Sequence, residues 1–134
     1  MMPRWRLLIG ACLAQVLTAC ALRLMALPAL RSAADRLRPL AGFLLPGSDD
    51  RVIWAVEATG RRLHGVSTCL VRAIVVDVRL SSPDRPLRLT IGVKRAAVAG
   101  LQAHAWLADR ERVLVGGPVD QSFQPIVAWE GSAQ

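Results

Sequence analysis

Between Cys69 and Leu80 the chain reads CLVRAIVVDVRL, apolar on nearly every side of a helical wheel and broken only by Arg72, Asp77 and Arg79. A helix of that kind is stable only where other elements surround it. Ser67 and Thr68 are both good N-cap residues, so the pattern predicts a central helix over Leu70–Leu80 with Cys69 in its first turn. The rest of the chain has to supply the wrapping.

Val52, Ile53, Val56 and Leu63 suit one further helix before it, and four stretches after it read as strands: Leu87–Val93, Leu101–Ala108, Arg112–Val115 and Ile126–Trp129. Strands that follow helices, rather than alternating with them, imply an antiparallel sheet with the helices on one side, an α+β fold. With 134 residues there is material for a single core plus one appended element.

The appended element is N-terminal. Leu22, Leu24, Met25 and Leu27, then Leu30, Ala33, Ala34 and Leu37, recur at three- and four-residue intervals with Arg23, Arg31, Arg36 and Arg38 between them. One or two amphipathic helices, broken at Pro28, are expected to pack on the core or on a partner. Arg4 and Arg6 ahead of an apolar run, with Leu17-Thr18-Ala19-Cys20 after it, imitate a lipoprotein signal. A lipoprotein would continue into a polar tether, whereas this chain continues ALRLMALPALRSAADRL. The uncharged run from Leu7 to Leu22 also falls short of the roughly 20 residues a spanning helix needs. Pro46-Gly47-Ser48-Asp49-Asp50 punctuates the chain, dividing a helical docking segment over 1–45 from a core over 46–134.

The net charge of +7 comes from basic residues that are all arginine except Lys94, scattered rather than grouped, with aromatics at only 4% and no tyrosine. That distribution excludes the clustered basic face of a nucleic-acid binder. It leaves room for an anionic partner or a membrane surface. Three cysteines, Cys12, Cys20 and Cys69, make neither a disulfide framework nor a zinc site and point to a reducing, cytoplasmic setting. Cys12 and Cys20 are expected as small buried hydrophobes.

Cys69 is different because of where it sits. The unpaired N–H groups and the positive end of the dipole at a helix N-terminus favour a thiolate, and the same groups can hold an oxyanion. The base comes from Leu101-Gln102-Ala103-His104-Ala105-Trp106-Leu107-Ala108, where strand alternation puts His104 on one face with Gln102 and Trp106. The indole shields the imidazole from bulk water. A third group would fix the tautomer. Asp120 in Gly116-Gly117-Pro118-Val119-Asp120 is favoured, with Asp109, in the turn after the histidine strand, as the competitor. His64, Arg72 and Trp54 have simpler structural readings and stay outside the catalytic set.

A cysteine opening a helix, followed by a histidine and an aspartate on later strands, resembles the papain/transglutaminase-like superfamily. The blocks Cys69-Leu70-Val71-Arg72-Ala73, Leu89-Thr90-Ile91-Gly92-Val93-Lys94, Ala103-His104-Ala105-Trp106-Leu107 and Arg112-Val113-Leu114-Val115-Gly116-Gly117 look like those of the lasso-peptide leader peptidases in that superfamily. The resemblance covers roughly Val52 to Val127. It implies a cysteine protease that trims the leader from a ribosomally made precursor peptide. It also implies two companions, a small leader-binding recognition protein and an asparagine-synthetase-like cyclase that takes the freed core. No metal or organic cofactor is implied. The family's acidic residue and glycine after the AHAW strand are replaced here by Ala108-Asp109-Arg110-Glu111, and its acidic triad position is shifted between Gly116 and Asp120. The rival readings are a transamidase using the same thioester, a non-catalytic peptide-binding module of the same fold, and a lipoprotein.

Overall fold

The computed structural model describes residues 3–96, 100–119 and 122–130. Five helices come first, α1 (Arg4–Leu24), α2 (Leu27–Ser32), α3 (Ala34–Leu44), α4 (Asp49–Gly60) and α5 (Cys69–Leu80). Four strands follow, β1 (Arg88–Ala96), β2 (Gly100–Asp109), β3 (Arg112–Val115) and β4 (Gln124–Glu130). All strand pairs are antiparallel in the order β3-β2-β1-β4, so the chain is α+β as its sequence pattern predicts.

α5 is the centre. Eight of its twelve residues are buried, including Val71, Ala73, Ile74, Val75 and Val76, and it packs on β2 and on α1, α3 and α4. A cross-strand row of the sheet faces the core, in which Val115 lies opposite Leu107, Leu107 opposite Leu89, and Leu89 opposite Trp129. Val115, Leu107 and Leu89 are fully buried and Trp129 packs against them from the edge. A row of branched and aromatic side chains on one face fixes strand register, because a one-residue slip would turn all of them to the other face.

The N-terminal helices differ from the sequence expectation in two ways. The chain breaks at Met25, whose backbone is extended, and Pro28 lies in the first turn of α2, where a missing N–H removes no helical bond. The amphipathic pattern expected to run on from Leu22 is therefore split, and Leu24 is 87% exposed. α1, at 21 residues, is also longer than its uncharged run suggested and is long and apolar enough to cross a membrane by length and composition.

In the fold, however, its inner face is part of the core. Leu7, Ala11 and Ala14 are buried, and Gly10 lies so close to α3 that an added Cβ would stand 1.8 Å from the Leu44 carbonyl oxygen. Gln15 is wholly buried in that face, donating to the Thr59 hydroxyl at 2.7 Å and accepting from the Ser67 hydroxyl. Asp77, the charge within α5, is buried and paired with Arg31 of α2. Burial pulls the Arg31 guanidinium below its ordinary range, since the charged form loses water.

Candidate active site

Thr68 is the N-cap of α5; its hydroxyl oxygen accepts from the Val71 N–H at 3.2 Å, while Ser67, the other candidate cap, turns to Gln15 instead. Cys69 is consequently the first residue of the helix. The N–H groups of Cys69 and Leu70 have no intrahelical acceptor at that position and face out of the helix end.

β2 receives the thiol. β3 pairs with β2 only from Leu107 to Asp109, so the stretch of β2 before Leu107 is unpaired along that edge. The Ala105 N–H there donates to Cys69 Sγ at 3.4 Å. A backbone donor that a longer β3 would have consumed is thus spent on the sulfur.

His104 is the next residue back along the same strand. Its Nε2 lies 2.6 Å from the carbonyl oxygen of Gly116, the residue that follows the end of β3. A carbonyl can only accept, so Nε2 carries the hydrogen, and Nδ1 of the neutral ring is left with its lone pair. Gly116 reaches this position with φ +90°, and an added Cβ would stand 2.6 Å from the Ala105 carbonyl oxygen and 3.0 Å from Trp106 Cα. Only glycine brings its carbonyl here without strain. The Cys69 thiol and the His104 imidazole are therefore both anchored at the edge of β2 vacated where β3 stops, the sulfur on the Ala105 N–H and the ring on the Gly116 carbonyl.

The imidazole is walled by aromatic rings, as the shared face with Trp106 led one to expect. Its centroid lies 6.0 Å from Trp106, stacked, and 5.5 Å from Phe123, with Phe123 and Trp106 themselves 6.4 Å apart. Lys94 Nζ sits 4.6 Å above the Phe123 ring. Gly92, opposite His104 in β1, makes room for this arrangement: a Cβ there would stand 2.8 Å from the end of the Trp106 indole. The register between β1 and β4 shifts at that same glycine, the kind of irregularity that re-aims side chains beside sites.

Of the three residues the sequence singled out, Cys69 and His104 are brought to one strand edge, and Asp120 lies outside the described residues. Asp109, its competitor, is the last residue of β2 and is held by Arg85 Nε at 2.9 Å. Arg85 also pairs with Asp49 at the start of α4, and these two carboxylates, Asp49 first, raise its guanidinium above the ordinary range. Asp109 is thereby engaged in a tie between the hairpin and α4.

A family model described as the transglutaminase-like superfamily matches residues 11–128. The chain belongs to that superfamily. The match takes in most of α1 and runs through all but the last two residues of β4, so the helices and the sheet form the matched unit together. No curated protein and no solved structure is significantly similar to the chain. Transglutaminase-like proteins include cysteine peptidases and transglutaminases, two chemistries that share a thiol nucleophile.

Sequence reasoning missed Gly116, Gly92, Phe123 and Gln15. A glycine inside the strand pattern Leu89-Thr90-Ile91-Gly92-Val93-Lys94 signals close approach by a neighbour, and a lone glutamine within the apolar run from Leu7 to Leu22 signals a buried polar tie. Nothing in the sequence marks a carbonyl as the partner of His104. Among the described residues no cluster of three or more His, Cys, Asp or Glu could hold a metal ion.

Proposed function

We propose that this transglutaminase-like protein is a cysteine peptidase that removes the leader from a lasso-peptide precursor in the cytoplasm. The observation that carries the reading is the anchoring of Cys69 Sγ on the Ala105 N–H and of the ring of the adjacent residue, His104, on the Gly116 carbonyl, both at the open edge of β2. The four sequence blocks resembling the leader peptidases lie on the elements that build this edge: α5, β1, β2 and β3.

In the reaction, Nδ1 of His104 takes the Cys69 proton as the sulfur attacks the scissile carbonyl carbon. The tetrahedral oxyanion is held by the N–H groups of Cys69 and Leu70. Collapse breaks the C–N bond, the imidazolium returns its proton to the departing amine, and the leader remains as a thioester on Cys69. Water, deprotonated by the same Nδ1, then attacks the thioester and releases the leader carboxylate and the thiol. Nε2–H stays on the Gly116 carbonyl throughout and stabilises the transient imidazolium. With Nε2–H on that carbonyl, this scheme gives the orienting role expected of Asp120 to Gly116. A leader-binding protein presents the substrate, and an asparagine-synthetase-like cyclase consumes the freed core.

The test compares the protein with its Cys69→Ala variant on the precursor peptide encoded beside it, with and without the neighbouring leader-binding protein, by following peptide masses. Release of the leader by the wild type alone, mainly with the partner present, supports the reading. Equal cleavage by both, or none under any condition, removes Cys69 as the nucleophile of this reaction and favours a non-catalytic module or a lipoprotein.

A further inference from the structure

We infer that the outer face of α1 lies flat on an anionic lipid surface. Trp5, Ile9, Leu13, Val16, Cys20 and Leu24 recur at three- and four-residue steps along that face, with Leu17 beside Val16, and all are exposed. The stripe runs nearly the whole helix, about 30 Å at 1.5 Å per residue. Cys20, expected buried, is on it. Between Leu7 and Leu22 no side chain carries a charge. A protein partner would ordinarily meet a rim of hydrogen-bonding groups, and this stripe offers only the Trp5 indole N–H at its end and one thiol.

The helix cannot turn this face inward, because its opposite face is already committed through Leu7, Gly10, Ala11 and Gln15. Nor can it span a bilayer while Gln15 holds Thr59 and Ser67. Lying along the interface satisfies both faces at once.

Charge and aromatic placement select the lipid. Residues 1–45 hold six arginines against one acidic residue, Asp35; Arg31 is committed to Asp77 and Arg38 to Asp35, and the exposed charge is that of Arg4, Arg6, Arg23 and Arg36. At the N-terminal end of α1, Arg4 lies 5.2 Å over the ring of Trp54 in α4 and Arg6 lies 5.8 Å over Phe43 in α3, with exposed Trp5 between them. A belt of tryptophan, phenylalanine and arginine is what sits at the headgroup level of a membrane, rings toward the acyl chains and guanidinium groups toward phosphate. Arg23 marks the other end of the stripe.

A groove adds to it. A cavity of about 140 Å³ between α1, α3 and α5 is lined by Leu17, Ala21, Leu37, Leu40, Ile74 and Val78, and its one hydroxyl, Thr18, is turned back onto the Ala14 carbonyl. Leu17 and Leu40 are each about half exposed, so the groove opens beside the stripe and suits an acyl chain.

The test is co-sedimentation of the full chain with vesicles of phosphatidylcholine alone or with added phosphatidylglycerol, at low and high salt. Binding is expected to the anionic vesicles and to weaken with salt. The double variant Arg4→Gln, Arg6→Gln should bind about tenfold more weakly or worse. Leu13→Glu should abolish binding with an unchanged melting temperature, and Ile9→Gln with Leu13→Gln serves should the glutamate variant fail to fold. The inference is overturned if the wild type binds neither vesicle or if the Leu13 variants bind like wild type. It is equally overturned if vesicle binding is absent while those variants lose a complex with the leader-binding protein, which would give the face to a protein. None of these outcomes depends on Cys69, so they stand apart from the cleavage test.

Discussion

Replacing Gly116 with alanine tests the site at the atom on which its orientation depends. Gly116 has φ +90°, where an L-residue costs about 1–2 kcal/mol. The new methyl would also stand 2.6 Å from the Ala105 carbonyl oxygen, well inside ordinary contact. Ala105 belongs to β2, clamped by β1 along its length, so Gly116 has to withdraw. The His104 bond, now 2.6 Å, then lengthens past the hydrogen-bonding range, which removes a further contribution of about 0.5–1.5 kcal/mol. Gly116→Ala should therefore lose about 2–3 kcal/mol of stability, read as a lower urea midpoint at unchanged slope. Nitrogen chemical shifts of the His104 ring should report Nε2–H in the wild type and a tautomer mixture in the variant. Cleavage of the precursor should slow about a hundredfold, as it does when a reacting group is misplaced by an ångström. A wild-type ring protonated on Nδ1 would refute the reasoning outright. A variant that loses stability yet keeps the wild-type tautomer and rate would show that the carbonyl packs without orienting the base.

Three further substitutions probe the supports. Thr68→Ala removes the cap of α5 and should cost about 1 kcal/mol in denaturant unfolding, whereas Ser67→Ala should not act through the cap at all. Gln15→Ala leaves the Ser67 hydroxyl without its acceptor and empties a buried site; about 1–3 kcal/mol should be lost, and a melting temperature equal to wild type would mean α1 is not fastened through this residue. Arg110 has φ +57° in the hairpin between β2 and β3, so Arg110→Gly should raise stability by up to about 1 kcal/mol, with an unchanged or lower melting temperature as the contrary result.

The central helix, its neighbour α4, the four strands and the position of Cys69 at a helix start were legible because each rests on local rules. An all-round apolar run must be buried, a threonine ahead of it caps it, and alternation sets His104 beside Trp106. The limits were also physical. Cys20 and Leu24 look like core residues by type, and only the packing of α1 against α3 and α4 decides which side of the helix faces out. Pro28 marks a break in sequence, yet the chain uses it to start a helix rather than to end one.

What the sequence by itself determined is which candidate groups sit on which elements: Cys69 on the first turn of α5 and His104 on β2. Only the tertiary structure decided how each is held. β3 stops short, and that frees the Ala105 N–H for the thiol and lets Gly116 turn its carbonyl to the imidazole. Residue patterns encode side-chain chemistry and periodicity, whereas a backbone donor left over at a strand edge, or a carbonyl aimed by a left-handed glycine, exists only once distant segments are packed together.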